Sequence, residues 1–347
     1  MPNNTYLIGE IGQNHNGSVD NAKLIIDIMT KPVIDDVFGN RYRGMNAVKL
    51  TKRDLSQELS ATQMNLPYNN PNSFGKTYKE HREYLELSDK EHYEVYKYAK
   101  SKNLDFIETL CAIGCTSIFK FFTPDKLKVA SRDITNLPLL EVLSETKTPI
   151  ILSTGMSGKK ELDQAIEVIT RFHSDISILH CVSEYPTQPK NINLRTINYL
   201  INNYPDFTIG YSDHTIGIST PVAAVASGAK IIEKHITIDR NMKGTDQIGS
   251  LGPDGINRMV RDIRILDEGL GIEDIFIVKD TREAKIKLER SIATNKTLKK
   301  GHILTINDIH LLSPGDGIKW IDKSKIIGKK LCNDIIKDEI IYKSFIQ

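Results

Sequence analysis

Eight short apolar runs, each leading into a polar cluster, constrain the fold of this chain more than any other feature. They are Tyr6 to Ile11, Ala47 to Leu50, Asp105 to Leu110, Lys126 to Ala130, Pro149 to Leu152, Ile176 to Cys181, Phe207 to Tyr211 and Lys230 to Ile238. Their lengths are those of buried strands. Helical patterns lie between them. Ser18 stands as an N-cap before VDNAKLIIDIM, and Leu162, Ala165, Ile166 and Ile169 recur at helical spacing. LPLLEVL after Asn136 and NLRTINYL after Asn193 follow the same scheme. Strands alternating with helices over about 270 residues predict an α/β fold, a (β/α)8 TIM barrel, whose usual size is ~250 residues. An open doubly wound sheet is the alternative, but no glycine-rich dinucleotide turn is present.

Two segments exceed a minimal barrel: KPVIDDVFGNRYRGM before the second run, and Thr51 to His81 after it. The second follows a strand's carboxyl end, which predicts a wall or lid of the active site. A helix from Gly255 to Leu270 should close the barrel, with Gly271 ending it. Beyond it the texture changes to short β-branched runs and turns. The predicted domains are a barrel over residues 1–275, a linker over 276–288 and a small domain over 289–347. So small a domain is marginal alone and should lean on the barrel or on a partner subunit.

A formal net charge of +2 gives no general attraction to nucleic acid or membrane, so any anion binding must be local. No basic start followed by an apolar core, and no apolar run of membrane-spanning length, is present, which predicts a cytoplasmic protein. Cys111, Cys115, Cys181 and Cys332 do not complete a zinc cage and are expected to be reduced. No neighbouring feature visibly lowers a thiol pKa, which argues against a thiolate nucleophile at Cys111 or Cys181.

In a parallel barrel the strand carboxyl ends converge on one mouth. The first strand brings Glu10 there. The second brings Lys49, with Lys52 and Arg53 just beyond, the third Glu108 and Thr109, and the fourth Lys128, Ser131, Arg132 and Asp133. The fifth adds Ser153 and Thr154, and the sixth Ser183, Glu184 and Tyr185. The last two carry Ser212 with His214 and Glu233 with His235. Because side chains alternate along a strand, each of those pairs shares a face. Two histidines at consecutive strand ends point to a divalent metal site, neutral imidazole being the usual ligand of borderline cations. Lysines left unpaired at buried strand ends would be costly, so an anionic ligand should complete them. Lys49 and Lys128 with the hydroxyls of Thr109, Ser131, Ser153 and Ser212 would suit a small phosphorylated carboxylate.

The runs IGEIGQNHNG, AVKLTKR, KVASRDITNLPLL, ILSTGMS, HCVSEYPTQP, GYSDHT and IEKHITIDRNMKGTD closely resemble the successive motifs of the sialic acid synthases. ERSIATNKTLKKGHILT and the SPGDGI turn are similar to that family's small antifreeze-like (SAF, β-clip) domain. The resemblance spans nearly the whole chain. It implies condensation of phosphoenolpyruvate with an open-chain N-acyl amino sugar, such as N-acetylmannosamine or a related aldose, giving a nonulosonic acid and phosphate. It further implies a divalent metal, manganese first with magnesium or cobalt as alternatives, held by residues matching His214 and His235. The family's phosphoenolpyruvate positions fall on Lys49, Thr109, Lys128, Ser131, Ser153, Ser183 and Ser212. Its sugar-binding and catalytic positions fall on Glu10, Asp133, Tyr185, Glu233 and Asp246. In that family the small domain caps the partner's site in a domain-swapped homodimer.

A metal near Glu10 and lysines around it would keep that carboxylate ionised and able to orient or deprotonate a water. Three positions depart from the family pattern. KLTKR replaces a KFQT-like strand, TLCAIG replaces STPFD, and Ser313 stands in place of the arginine expected to touch the N-acyl group. Arg132 and Arg53 add positive charge beside the expected sugar, and Arg132 is a candidate sugar contact unless it pairs internally with Asp133 or Glu108. A different acyl group, or an anionic aldose, would suit these changes. The alternative reading is another metal-dependent barrel aldolase or isomerase acting on a sugar. A Schiff-base aldolase would use Lys128 or Lys234 as nucleophile.

Overall fold

A computed structural model describes residues 4–347. The apolar runs become eight parallel strands: β1 (Tyr6–Gly12), β2 (Ala47–Lys52), β3 (Asp105–Leu110), β4 (Lys126–Val129), β5 (Ile150–Ser153), β6 (Ile176–Cys181), β7 (Thr208–Asp213) and β8 (Ile231–His235). Each pairs with its successor and β8 pairs with β1, closing the (β/α)8 barrel. Both faces of every strand are covered, which is why the runs read as nearly continuous apolar sequence. Outward residues such as Leu7, Val48, Phe106, Leu127 and Leu152 pack against the helices. Inward, Ile8, Ala47, Ile107, Ile151, Leu179 and Ile231 form a separate apolar layer.

One pleat further along, the inward positions are Glu10, Lys49, Thr109, Lys128, Ser153, Cys181, Ser212 and Glu233, all buried. The helices start where the sequence provides caps. Ser18 accepts from the Asn21 amide ahead of Val19–Thr30, Ser88 forms a capping box ahead of Asp89–Ser101, and Asn136 caps Leu137–Glu145. The helix Pro253–Gly269 completes the ring, and Gly271, at φ +57, follows it in a left-handed turn that favours glycine. The crossover between β3 and β4 contains a 3-10 helix, Ile113–Lys120, in place of an α-helix.

The first long connection forms a two-residue ribbon, Val33–Ile34 with Arg41–Tyr42. The second contains the short helix Ala61–Met64 and leads into Tyr78–Leu85, where buried His81 packs among Tyr68, Phe74 and Tyr78. The chain divides into two compact units, one ending at Gly271 and one starting at Ile272. In the second, Ser291–Thr294 pairs antiparallel with Ile309–Leu312 over a core that includes Ile292, Leu304, Leu331 and Ile341. Buried Asp308 ties this unit together, accepting from the Thr305 amide and hydroxyl and pairing with Lys296 and His302. No helix among the described residues is long and apolar enough to cross a membrane.

Candidate active site

The carboxyl ends of the strands surround a cavity of about 380 Å³, within the ~300 to 1,000 Å³ usual for small-molecule sites. Of the residues the sequence singled out, Glu10, Lys49, Thr109, Lys128, Ser131, Arg132, Ser153, Ser183, Tyr185, Ser212, His214, Glu233, His235 and Asp246 line it. Asp133 does not. It is buried, and its carboxylate accepts a hydrogen bond from Arg132 Nε at 3.3 Å.

Two lysines and two carboxylates form the floor. Lys49 Nζ stands 2.7 Å from Glu10 Oε2 and 3.9 Å from Glu233 Oε2, and donates to Thr109 Oγ1 at 2.9 Å. Lys128 Nζ donates to Glu233 Oε1 at 3.2 Å, and the same oxygen accepts from Ser212 Oγ at 2.9 Å. The lysines are therefore partnered within the protein, and unpaired charge is no longer the reason to expect an anion. Burial disfavours ionisation of both carboxyls, but Lys128 and Lys49 outweigh it at Glu233 and bring its pKa down to about 2. At Glu10 burial dominates and the charge of Glu233 adds to it, so despite Lys49 its pKa is pushed up to about 7. With no metal present, Glu10 is thus poised around neutrality; the sequence-based expectation of an ionised carboxylate concerns the site with a cation bound.

Beside this floor the chain leaves polar atoms without partners. Ser153 Oγ is buried and unpaired. The Gly155 amide donates to Ser131 Oγ at 2.9 Å, and a Cβ on Gly155 would fall 2.5 Å from Ser183 Oγ and 2.8 Å from Ser131 Oγ. Only glycine lets backbone and hydroxyls approach this closely, and the result is a cluster of donors suited to phosphate or carboxylate oxygens.

His214 and His235 face each other with ring centroids 5.6 Å apart, and the Tyr185 ring lies tilted against His214 with centroids 4.0 Å apart. His214 Nδ1 donates to the Val182 carbonyl at 2.8 Å, which leaves the Nε2 lone pair free. His235 Nδ1 is buried without a partner, and burial holds that imidazole below its usual pKa. No cluster of three His, Cys, Asp or Glu side chains that could hold a metal exists among the described residues, and the two imidazoles are the donors that a cation here would meet. One oriented ring and one bare buried nitrogen fit a divalent cation that keeps other positions open.

Several strand-end residues turn away from the cavity. Glu108 points outward to the His92 ring, 3.1 Å away, and Lys52 to Glu86. Lys234 also faces outward, paired with Asp213, which removes it as a Schiff-base nucleophile. Arg132 Nη1 pairs with Glu58 at 2.9 Å, not with Glu108. Burial raises Cys181, but His214 beside it brings its pKa below the usual thiol value, a neighbour the sequence did not reveal. Cys111 is raised by burial.

The sequence reading missed Gln13, Thr51, Arg82, Met156 and Thr245 as lining residues. Arg82 comes from the helix Tyr78–Leu85. Its Nε donates to Tyr78 Oη at 2.7 Å and its Nη1 contacts Gln13. Within the segment Thr51 to His81, expected to form a wall, Thr51 and Arg53 line the cavity, and Arg82 just beyond it does so too.

Residues 40–274 match the NeuB family, and residues 289–347 match the SAF domain. The chain belongs to the NeuB family. Human N-acetylneuraminate-9-phosphate synthase is 31% identical over 98% of this chain and 92% of its own length. The N,N'-diacetyllegionaminic acid synthase of Campylobacter jejuni is 31% identical over 97% of this chain and 98% of its own. The crystal structure of an N-acetylneuraminic acid synthetase from Leptospira borgpetersenii, in complex with citrate, superposes with a TM-score of 0.66 at 30% identity, covering 81% of this chain and 90% of that one. As a NeuB-family member the protein is an enzyme of nonulosonic acid synthesis, built from a TIM barrel and a SAF domain.

Proposed function

We propose that this enzyme condenses phosphoenolpyruvate with an open-chain N-acyl amino sugar, forming a nonulosonic acid and releasing phosphate by C–O cleavage. The observation that carries this reading is the cavity floor. Buried lysine–carboxylate pairs lie beside unpartnered donors at Ser153 and around Gly155, with two facing imidazoles at the ends of the adjacent strands β7 and β8.

Lys49, Thr109, Lys128, Ser131, Ser153, Ser183 and Ser212 would bind the phosphate and carboxylate of phosphoenolpyruvate and present its methylene to the sugar. His214 and His235 would hold a divalent cation, manganese in the first instance, which supplies polarisation of the aldehyde oxygen. The methylene carbon would bond to the aldehyde carbon as the aldehyde π pair moves onto its oxygen, which takes up a proton to become a hydroxyl, leaving positive charge at the phosphate-bearing carbon. Glu10 takes a proton from the water that adds there, a role matched by its pKa of about 7. The phosphate then departs with its bridging oxygen and with the proton of the hydroxyl that water supplied, leaving the ketone. Tyr185, Asp246 and Arg132 line the wall on which the sugar would lie.

The homodimer of swapped domains follows from the same reading. Ile275, Phe276, Ile277 and Val278 stand exposed in sequence, an apolar segment that a second copy would cover. The four free cysteines suit a reducing cytoplasm.

Inorganic phosphate release with phosphoenolpyruvate, Mn²⁺ and a panel of aldoses tests the proposal. The panel should contain free and phosphorylated N-acetylmannosamine and diacetylated amino sugars. Aldose-dependent release with one of them is expected; no release with any of them would refute it.

A further inference from the structure

Immediately before each of the two facing histidines stands a residue that the mechanism does not use. Asp213 precedes His214 and Lys234 precedes His235, and the two are register partners on adjacent parallel strands. Alternation turns both away from the cavity. Lys234 Nζ lies 2.6 Å from Asp213 Oδ2, with both side chains wholly shielded from solvent. The pair also closes around His214 from its far side. Asp213 Oδ1 accepts from the Thr215 amide at 3.0 Å, Oδ2 accepts from Thr215 Oγ1 at 3.1 Å, and Lys234 donates to the Thr215 carbonyl. The residues on both sides of His214 are thus fastened to the residue preceding His235. Tyr211 Oη donates to Asp213 Oδ1 at 3.1 Å, so the carboxylate is held in turn by its own strand.

We propose that Asp213 and Lys234 are positioning residues that fix the separation of the His214 and His235 rings, and that this bolt sets the affinity of the site for its divalent cation. The inference rests on the reading that the two histidines hold that cation. A charged pair buried this deeply needs its geometry to be close to ideal, because either partner left alone is an uncompensated buried charge. Buried ion pairs commonly bring no surplus stability over an apolar pair of similar volume, so what this one would contribute is direction, joining two strand ends at one register. A displacement of an imidazole by about 1 Å is enough to impair a two-ligand site, whose remaining positions come from water and substrate.

The test measures Mn²⁺ binding by calorimetry in the absence of substrate, together with thermal unfolding of the metal-free proteins. Five forms are compared: wild type, Lys234→Arg, Asp213→Asn, the double variant Asp213→Asn/Lys234→Met, and His214→Ala. The double variant removes both charges at once and so avoids the unfolding that a lone buried charge can cause. It should unfold within a few degrees of wild type yet bind Mn²⁺ at least ten times more weakly. Lys234→Arg, which keeps the pair, should retain affinity within about threefold. A folded double variant with wild-type Mn²⁺ affinity would overturn the proposal and leave the pair a structural feature of the barrel wall. Wild-type protein that binds no Mn²⁺, or His214→Ala that binds as well as wild type, would overturn it by removing the metal reading itself, a result distinguishable from failure of the double variant alone.

Discussion

Two successive layers inside the same barrel differ completely in chemistry. Ile8, Ala47, Ile107, Ile151, Leu179 and Ile231 fill the lower layer with hydrocarbon. Two residues further along the same strands, Glu10, Lys49, Thr109, Ser153, Cys181 and Glu233 fill the next with polar, ionic and thiol groups that are just as buried. The lower layer repays burial through the hydrophobic effect. The upper one is costly to bury, and its charges are balanced only against each other and against what the cavity binds. A barrel can therefore change its chemistry by one pleat without giving up its core.

Glu10→Gln tests the upper layer with the largest expected effect. It removes the proposed base while keeping volume, and kcat should fall ~10²- to 10⁴-fold with little change in Tm. In wild type the raised pKa of Glu10 means the carboxylate is lost as pH falls, so kcat/KM should drop below about pH 7, and Glu10→Gln should flatten that limb. A wild-type profile flat down to pH 5 would remove Glu10 from this role.

Ile151→Ala tests the lower layer. It should cost about 2 to 5 kcal/mol of stability, measured by denaturant unfolding, with the KM for phosphoenolpyruvate within about threefold of wild type. Equal losses in stability and substrate affinity would show that the layers are not separable.

Arg132→Lys probes the rim, where the distinction blurs. The arginine is tied to Glu58 and Asp133 yet lines the cavity. If it also reads the aldose, its KM should rise about tenfold, as expected for a lost charge-assisted hydrogen bond, with phosphoenolpyruvate affinity unchanged. A lower Tm with unaltered kinetics would assign it to the wall alone.

The fold was largely legible because each strand is an apolar run and several of the helices between them start at caps that the sequence spells out, such as Ser18 and Asn136. The site was legible wherever alternation along a strand decides the face, as at Lys49, Ser212 and Glu233. It failed for Glu108, one residue from Thr109 and hence on the opposite face, and for Lys52 and Lys234 by the same rule. Arg82 and Gln13 were illegible for another reason: they reach the cavity from a long connection and a loop, whose paths no periodicity predicts. The partners of Lys49 and Lys128 were hidden because each pair joins residues far apart in sequence.

The central claim is that this cavity cleaves the C–O bond of phosphoenolpyruvate while joining its methylene to an aldose. Phosphoenolpyruvate carrying ¹⁸O at the bridging position, turned over with the active aldose and analysed by mass spectrometry of the released phosphate, tests it most directly. The account predicts phosphate that retains the ¹⁸O label and a ketose acid whose carbonyl oxygen comes from water. Label retained in the organic product would mean P–O cleavage and would contradict it.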